Sequence, residues 1–135
     1  VGKLVNGLSF LTTIDPWHGN EVAFYFRDEP TDPWPGKRYV IDDQIMDGHA
    51  LWVADIDGDG NDEIFAGHRG LDHRVSMYTF TPKSKTFWSR TVLDRDIAAQ
   101  DLRGGDLDGD GRPDVVAVGG ATRNVVWYHP KKVNP

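Results

Sequence analysis

Leu51–Gly67 reads LWVADIDGDGNDEIFAG, and Leu102–Val118 reads LRGGDLDGDGRPDVVAV. The leading aspartates, Asp55 and Asp106, stand 51 residues apart, so one unit is written twice. A fixed period of this size means a supersecondary unit that stacks on its own copies. The flanks keep the same order. Upstream, YVIDD (39–43) corresponds to TVLDR (91–95); downstream, RVSMY (74–78) corresponds to NVVWY (124–128). A third copy, FLTTIDPWHGNEVAFYF (10–26), matches the second half of the unit and lacks the aspartates. Val1–Val5 can supply its missing first strand, with VNGL (5–8) in place of the aspartate loop.

Within each unit the runs VIDD and TVLD, LWVA, EIFAG and DVVAV, VSMYTF and NVVWY are β-branched or aromatic. They are bounded by Gly, Asp, Asn or Pro, which is how short strands are punctuated. No window of helical period carries caps at both ends, so the expected class is all-β. The expected organisation is one module of three four-stranded antiparallel units: 1–36, incomplete and without the loop, then 37–86 and 87–135, each with one. Between third and fourth strands, PTDPWPGK (30–37) and TPKSKT (81–86) read as surface loops. Four strands in 40–50 residues is the size of a β-propeller blade. A sandwich has no reason to repeat at this period. Propellers close with about four to eight blades. Three blades therefore predict a homo-oligomer, a dimer being favoured, whose out-of-phase ends complete each other by strand addition.

Composition agrees. Of 135 residues, 39% are hydrophobic and 11% aromatic, enough for a core, while 15 glycines and 8 prolines favour many short elements. A net charge of −6 is the wrong sign for a nucleic-acid partner. No apolar run reaches the roughly 18 residues of a membrane helix, so no membrane insertion is expected. Without cysteine there is no disulfide, thiolate nucleophile or Cys-bound metal. No signal-peptide pattern opens the chain, but a processed secreted protein would look the same, and an extracellular or cell-surface location is the expectation.

The chemistry lies first in D-x-D-G-D-G-x-x-[DE]. Asp55, Asp57, Asp59, Asn61 and Glu63 form one set; Asp106, Asp108, Asp110, Arg112 and Asp114 form the other. Alternating carboxylates in a tight loop converge their oxygens, glycine allows the wrapping turn, and Asn61 or Arg112 offers a backbone carbonyl. This donor set suits calcium, two ions per chain. Strand-like EIF and DVV follow at once, so the loop is not an EF-hand, which needs a helix there. A solvated Asp-Gly hairpin turn is the plainer alternative; duplication with the ninth-position acid favours metal. The eight loop carboxylates then explain much of the acidity.

A second set lies where one strand hands over to the next. His18, His49 and His68 are candidate catalytic residues, because three imidazoles from neighbouring units can hold a zinc ion with an open position. Trp17, His18, Asn20, His49, His68, Arg69, Gln100, Arg123 and Asn124 are candidate ligand-binding residues. A flat apolar face beside planar hydrogen-bonding groups suits a carbohydrate. The plainer alternative is that each histidine bonds a nearby carbonyl and pins a loop.

DIDGDGNDEIFAG and DLDGDGRPDVVAVGG resemble the FG-GAP/VCBS repeats of calcium-bearing β-propellers, the class also found in integrin α-subunits. PWHGNEV (16–22), IDDQIMDGHAL (41–51), GHRG (67–70), IAAQDL (97–102) and ATRNVVWY (121–128) resemble the propeller region of aldos-2-ulose dehydratases and related bacterial VCBS proteins. Those enzymes are several times longer. The resemblance implies a calcium-stabilised propeller. Its narrower part implies a lyase acting on a sugar through a histidine-bound metal. Three functions follow: a recognition and assembly module for carbohydrate, which leads; such a lyase; and a purely structural self-assembling unit.

Overall fold

The computed structural model describes residues 1–84 and 87–130; Lys85 and Thr86 of the TPKSKT loop and residues 131–135 of the last unit lie outside them. Eleven strands are present among the described residues. They are β1 (Gly2–Lys3), β2 (Ser9–Asp15), β3 (Glu21–Phe26), β4 (Lys37–Asp42), β5 (Gly48–Ala54), β6 (Glu63–His68), β7 (Arg74–Phe80), β8 (Trp88–Asp94), β9 (Ala99–Gly105), β10 (Asp114–Gly119) and β11 (Val125–Tyr128). Each pairs antiparallel with its sequence neighbour inside three sheets: β1–β4, β5–β8 and β9–β11. No helix occurs among the described residues, and none is long and apolar enough to cross a membrane.

The all-β expectation holds, and β1 is the short first strand read at Val1–Val5. The limits differ. β4 pairs with β3 from Phe26 opposite Lys37, and β8 pairs with β7 from Phe80 opposite Trp88. YVIDD and TVLDR are thus the fourth strands that follow the loops at 30–37 and 81–86, and each closes its sheet. The sheets run 2–42, 48–94 and 99–128, whereas the sequence units ran 1–36, 37–86 and 87–135. A period fixes spacing but not the point where hydrogen bonding stops. Among the described residues no sheet closes on itself and no ring is completed.

Two cores separate the three sheets. Phe10, Val22, Phe24, Ile64, Ala66, Tyr78 and Trp88 fill the first, and Phe65, Val75, Ile97, Leu102, Val115 and Ala117 fill the second. All six residues of β6 are buried, because Ile64 and Ala66 face one core while Phe65 faces the other. A strand buried on both faces reads as a continuous apolar run. Each large apolar side chain placed there contributes about 1.5–3 kcal/mol. At β9 the chain presses closer still: a Cβ on Gly104 would lie 2.2 Å from the Trp52 ring.

A polar latch crosses each gap between sheets. Asp42, ending β4, accepts a hydrogen bond from the Tyr78 hydroxyl at 2.7 Å and from Arg90 at 2.8 Å. Asp94, ending β8, accepts one from the Tyr128 hydroxyl at 3.1 Å. These contacts explain why YVIDD and TVLDR share an aspartate and why RVSMY and NVVWY end on tyrosine. Burial would raise the Asp42 carboxyl, but the Tyr78, Arg90 and Gln44 donors outweigh it and hold it below the ordinary aspartate value. The outer face of the third sheet is different. Val118, Val125 and Trp127 are 44%, 68% and 51% exposed there, on the face whose counterpart in the second sheet packs against β9.

Candidate functional site

The two aspartate loops join β5 to β6 and β9 to β10, at the same end of their sheets. Gly58, Gly60, Gly109 and Gly111 all have φ between 77° and 89°, the left-handed turn that the motif requires. Asp55 accepts the amides of Gly58 and Gly60 at 2.7 and 3.0 Å; Asp106 accepts those of Gly109 and Gly111 at 2.8 and 2.9 Å. Asp57, Asp59, Asp108 and Asp110 each take the amide two residues on. The loops therefore fold alike, as their sequences do.

Carboxylate oxygens of Asp55, Asp57 and Glu63 lie within 4.8 Å of one another, as do those of Asp106, Asp108 and Asp110. Both groups could hold a metal ion. Glu63 is 1% exposed; its Oε2 accepts the Ile56 amide at 3.1 Å, and its Oε1 has no hydrogen-bond partner. Burial first, then Asp57, Asp59 and Asp55, push its carboxyl up to about 8. Its counterpart Asp114 differs. Burial acts to raise the Asp114 carboxyl, but the Leu107 amide and the imidazole of His129 hold it below the ordinary value.

The first loop also grips the sheet before it. Asn61 accepts the Val5 amide at 3.0 Å, and Asp62 accepts the Lys3 amide at 2.7 Å while its own amide returns to the Lys3 carbonyl. Asp62 was not among the residues that the motif singled out. At the second loop Arg112 takes the place of Asn61, its amide donating to Asp110 Oδ1 at 3.0 Å.

At the opposite end, the β2–β3, β6–β7 and β10–β11 turns each hold one non-glycine residue at positive φ: His18, Asp72 and Arg123. There Trp17, 85% exposed, stacks on His18 at 4.9 Å, and His18 lies 4.9 Å from His49. With Ile14, Gly48 and Leu51 these three line a hollow of about 170 Å³. His49 Nδ1 meets the Gln100 carbonyl at 2.7 Å, Arg69 donates to the Gln100 side chain at 3.0 Å, and Arg69 grips Asp47 through two nitrogens. Arg69 holds the Asp47 carboxyl below the ordinary value, chiefly by its hydrogen bond.

Five of the expected residues thus meet: Trp17, His18, His49, Arg69 and Gln100. Four do not join them. Asn20 donates to the Asp43 carbonyl and Asn124 to the Asp96 carbonyl, each pinning a connection, while Arg123 is exposed in its turn. His68 is placed differently from His18 and His49. It ends the fully buried β6, is 1% exposed, and turns Nδ1 to the backbone of Met46. Burial, then Arg74, holds it below the ordinary histidine value. No group of three metal-ligating side chains forms around these histidines among the described residues.

Residues 55–117, which span both aspartate loops, match the FG-GAP-like repeat. No curated protein and no solved structure matches the chain.

Proposed function

We propose that this chain is a calcium-stabilised recognition module of propeller-type blades, which binds a carbohydrate at the end opposite its aspartate loops. Glu63 carries the calcium reading. A carboxylate buried to 1% exposure, with one oxygen unpartnered and two aspartates within 4.8 Å, calls for a cation in the ionised state. Many protein oxygens in a flexible loop favour calcium over magnesium. Asp55, Asp57, Asp59, the Asn61 carbonyl and Glu63 would hold one ion; Asp106, Asp108, Asp110, the Arg112 carbonyl and Asp114 would hold the other. The ion's work is structural: it neutralises the loop, which in turn grips β1 through Asn61 and Asp62.

Recognition rests on the exposed Trp17 face beside the hollow, with Arg69 and Gln100 fixed nearby as planar hydrogen-bonding groups. A sugar ring offers apolar C–H faces to the indole and hydroxyls to the rest. Calorimetry should find two calcium ions per chain and one after Glu63→Gln; no binding in either protein sinks the calcium reading. A glycan array probed with wild type and Trp17→Ala tests the ligand: signals lost in the variant support it, and signals unchanged in the variant remove it.

The outward apolar face of the third sheet favours a second reading, self-association. The first two gaps each close with one sheet's apolar face on the next, and a further copy would cover Val118, Val125 and Trp127 in the same way. A metal-dependent lyase would need the imidazole of His68 free to join His18 and His49, whereas its Nδ1 is engaged by the backbone of Met46.

A further inference from the structure

We propose that the second aspartate loop holds a mixed nitrogen–oxygen site for a divalent transition-metal ion, zinc being the probe, in which His129 is a ligand together with Asp108 and Asp114. The inference rests on the reading of that loop as a cation site, and it gives the two loops different metal preferences. In β10 and β11, Val115 stands opposite Tyr128, so the next step of the same register sets His129 beside Asp114. In the second sheet Ile64 stands opposite Tyr78, and the matching step sets Thr79 beside Glu63. One loop has an imidazole at its mouth and the other a threonine.

The distances suit a small ion. His129 Nδ1 lies 2.9 Å from Asp114 Oδ1 and 3.8 Å from Asp108 Oδ2, and ligand atoms of all three lie within 4.8 Å of one another. Around an ion with bonds of about 2.1 Å, neighbouring ligand atoms stand roughly 3.0–3.4 Å apart. Drawing these atoms, all within 4.8 Å of one another, onto one ion takes shifts of up to about 1.5 Å in the ring and the loop. Trp127 meets that ring edge-on at 5.6 Å and 67°, and Tyr128 is tied by its hydroxyl to Asp94, so the chain leading into His129 is anchored. Imidazole suits zinc and its neighbours, whereas calcium prefers oxygen alone. Metal binding through Nδ1 needs the neutral ring with its proton on Nε2, so any proton on Nδ1 passes to solvent as the ion binds.

The test uses the whole chain with nitrogen-15-labelled histidine, freed of calcium and titrated with zinc. The Nδ1 resonance of His129 should move to a metal-bound position, and His129→Gln should lower zinc affinity at that loop by roughly 10- to 100-fold. In calcium-loaded protein, zinc should displace one of the two calcium ions, and should fail to do so in His129→Gln. Thr79→His should confer the same response on the first loop. A His129 ring left unshifted by zinc, or equal zinc affinity with and without the imidazole, overturns the proposal and leaves His129 as a donor that merely orients Asp114. Zinc at His18 or His49 is separated by its own resonances. A chain that binds zinc through His129 but no calcium anywhere keeps this proposal and loses the calcium reading.

Discussion

With no cation in its first loop, the protein should lose stability as the pH rises, the reverse of ordinary acid denaturation. The cause is Glu63. In the metal-free fold its carboxyl is pushed from 4.5 up to about 8, by burial first and then by Asp57, Asp59 and Asp55. The folded state keeps a proton that the unfolded chain releases above pH 4.5. This stabilisation is therefore complete below 4.5 and is lost as the pH climbs through about 8. At about 1.4 kcal/mol for each pH unit, the whole window is worth at most about 5 kcal/mol, much of a typical domain's stability. Glu63→Gln can still accept the Ile56 amide but does not titrate, so wild type and variant should diverge across the window. Calcium acts the other way, because it needs the carboxylate; at a hundredfold excess over its dissociation constant it adds about 2.7 kcal/mol per site. Urea unfolding followed by tryptophan fluorescence, in chelator and in calcium, between about pH 5 and 9, measures each term. His68, held below its ordinary value, adds stability that is lost as the pH falls, but it is common to both proteins and cancels in their difference. Parallel curves for wild type and Glu63→Gln in chelator refute the reasoning.

The remaining predictions concern the latches, the exposed indole and the open face. Tyr78→Phe removes a buried donor to the Asp42 carboxylate and should cost about 1.5–3 kcal/mol in urea unfolding, whereas Tyr128→Phe, half-buried on Asp94, should cost less. Equal costs would mean that the latches do not act through burial. Trp17→Ala should leave stability within about 0.5 kcal/mol, since the ring is 85% exposed, while ending carbohydrate binding. A large loss of stability would show that the ring is structural. Trp127→Arg should shift sedimentation toward the single chain if the third sheet's outer face joins copies; an unchanged profile removes that interface.

How much was legible in the sequence differs from residue to residue, for physical reasons. EIFAG announces β6 because a strand buried on both faces carries no polar alternation to blur the run. The aspartate loops are equally open, since glycine and alternating acids act within a few residues of one another. The sheet limits were not open. YVIDD reads as the strand after the PTDPWPGK loop and does pair back with β3, but the period alone leaves the start of a unit free to fall before it. The Asp42–Tyr78 and Asp94–Tyr128 latches span 36 and 34 residues, and only their recurrence in both flanks hinted at them. His68 misled because its neighbours in GHRG look like a surface turn, while the strand before it is wholly buried. His129 had no recurring partner in sequence, and only the β10–β11 register sets it beside Asp114.

Strand β5 binds the two ends of the molecule into one argument. His49 stands at its start and Asp55 directly follows its end, so the hollow beside Trp17 and the first loop are about 20 Å apart at 3.3 Å per residue. That separation exceeds the roughly 8 Å over which exposed charges are felt at physiological ionic strength. An ion in the loop cannot reach a sugar at Trp17 through its field. What connects them is the body of the second sheet, whose β5 supplies His49 while its loop grips β1, in the same sheet as the turn that carries Trp17 and His18. Calcium should therefore act on recognition only through folding. Sugar affinity should hold constant as calcium is withdrawn, at a pH and temperature where the metal-free protein stays folded, and should collapse where the unfolding transition begins. An affinity that instead follows calcium occupancy point by point, with circular dichroism unchanged, would place the ion at the ligand itself and overturn the separation of the two ends.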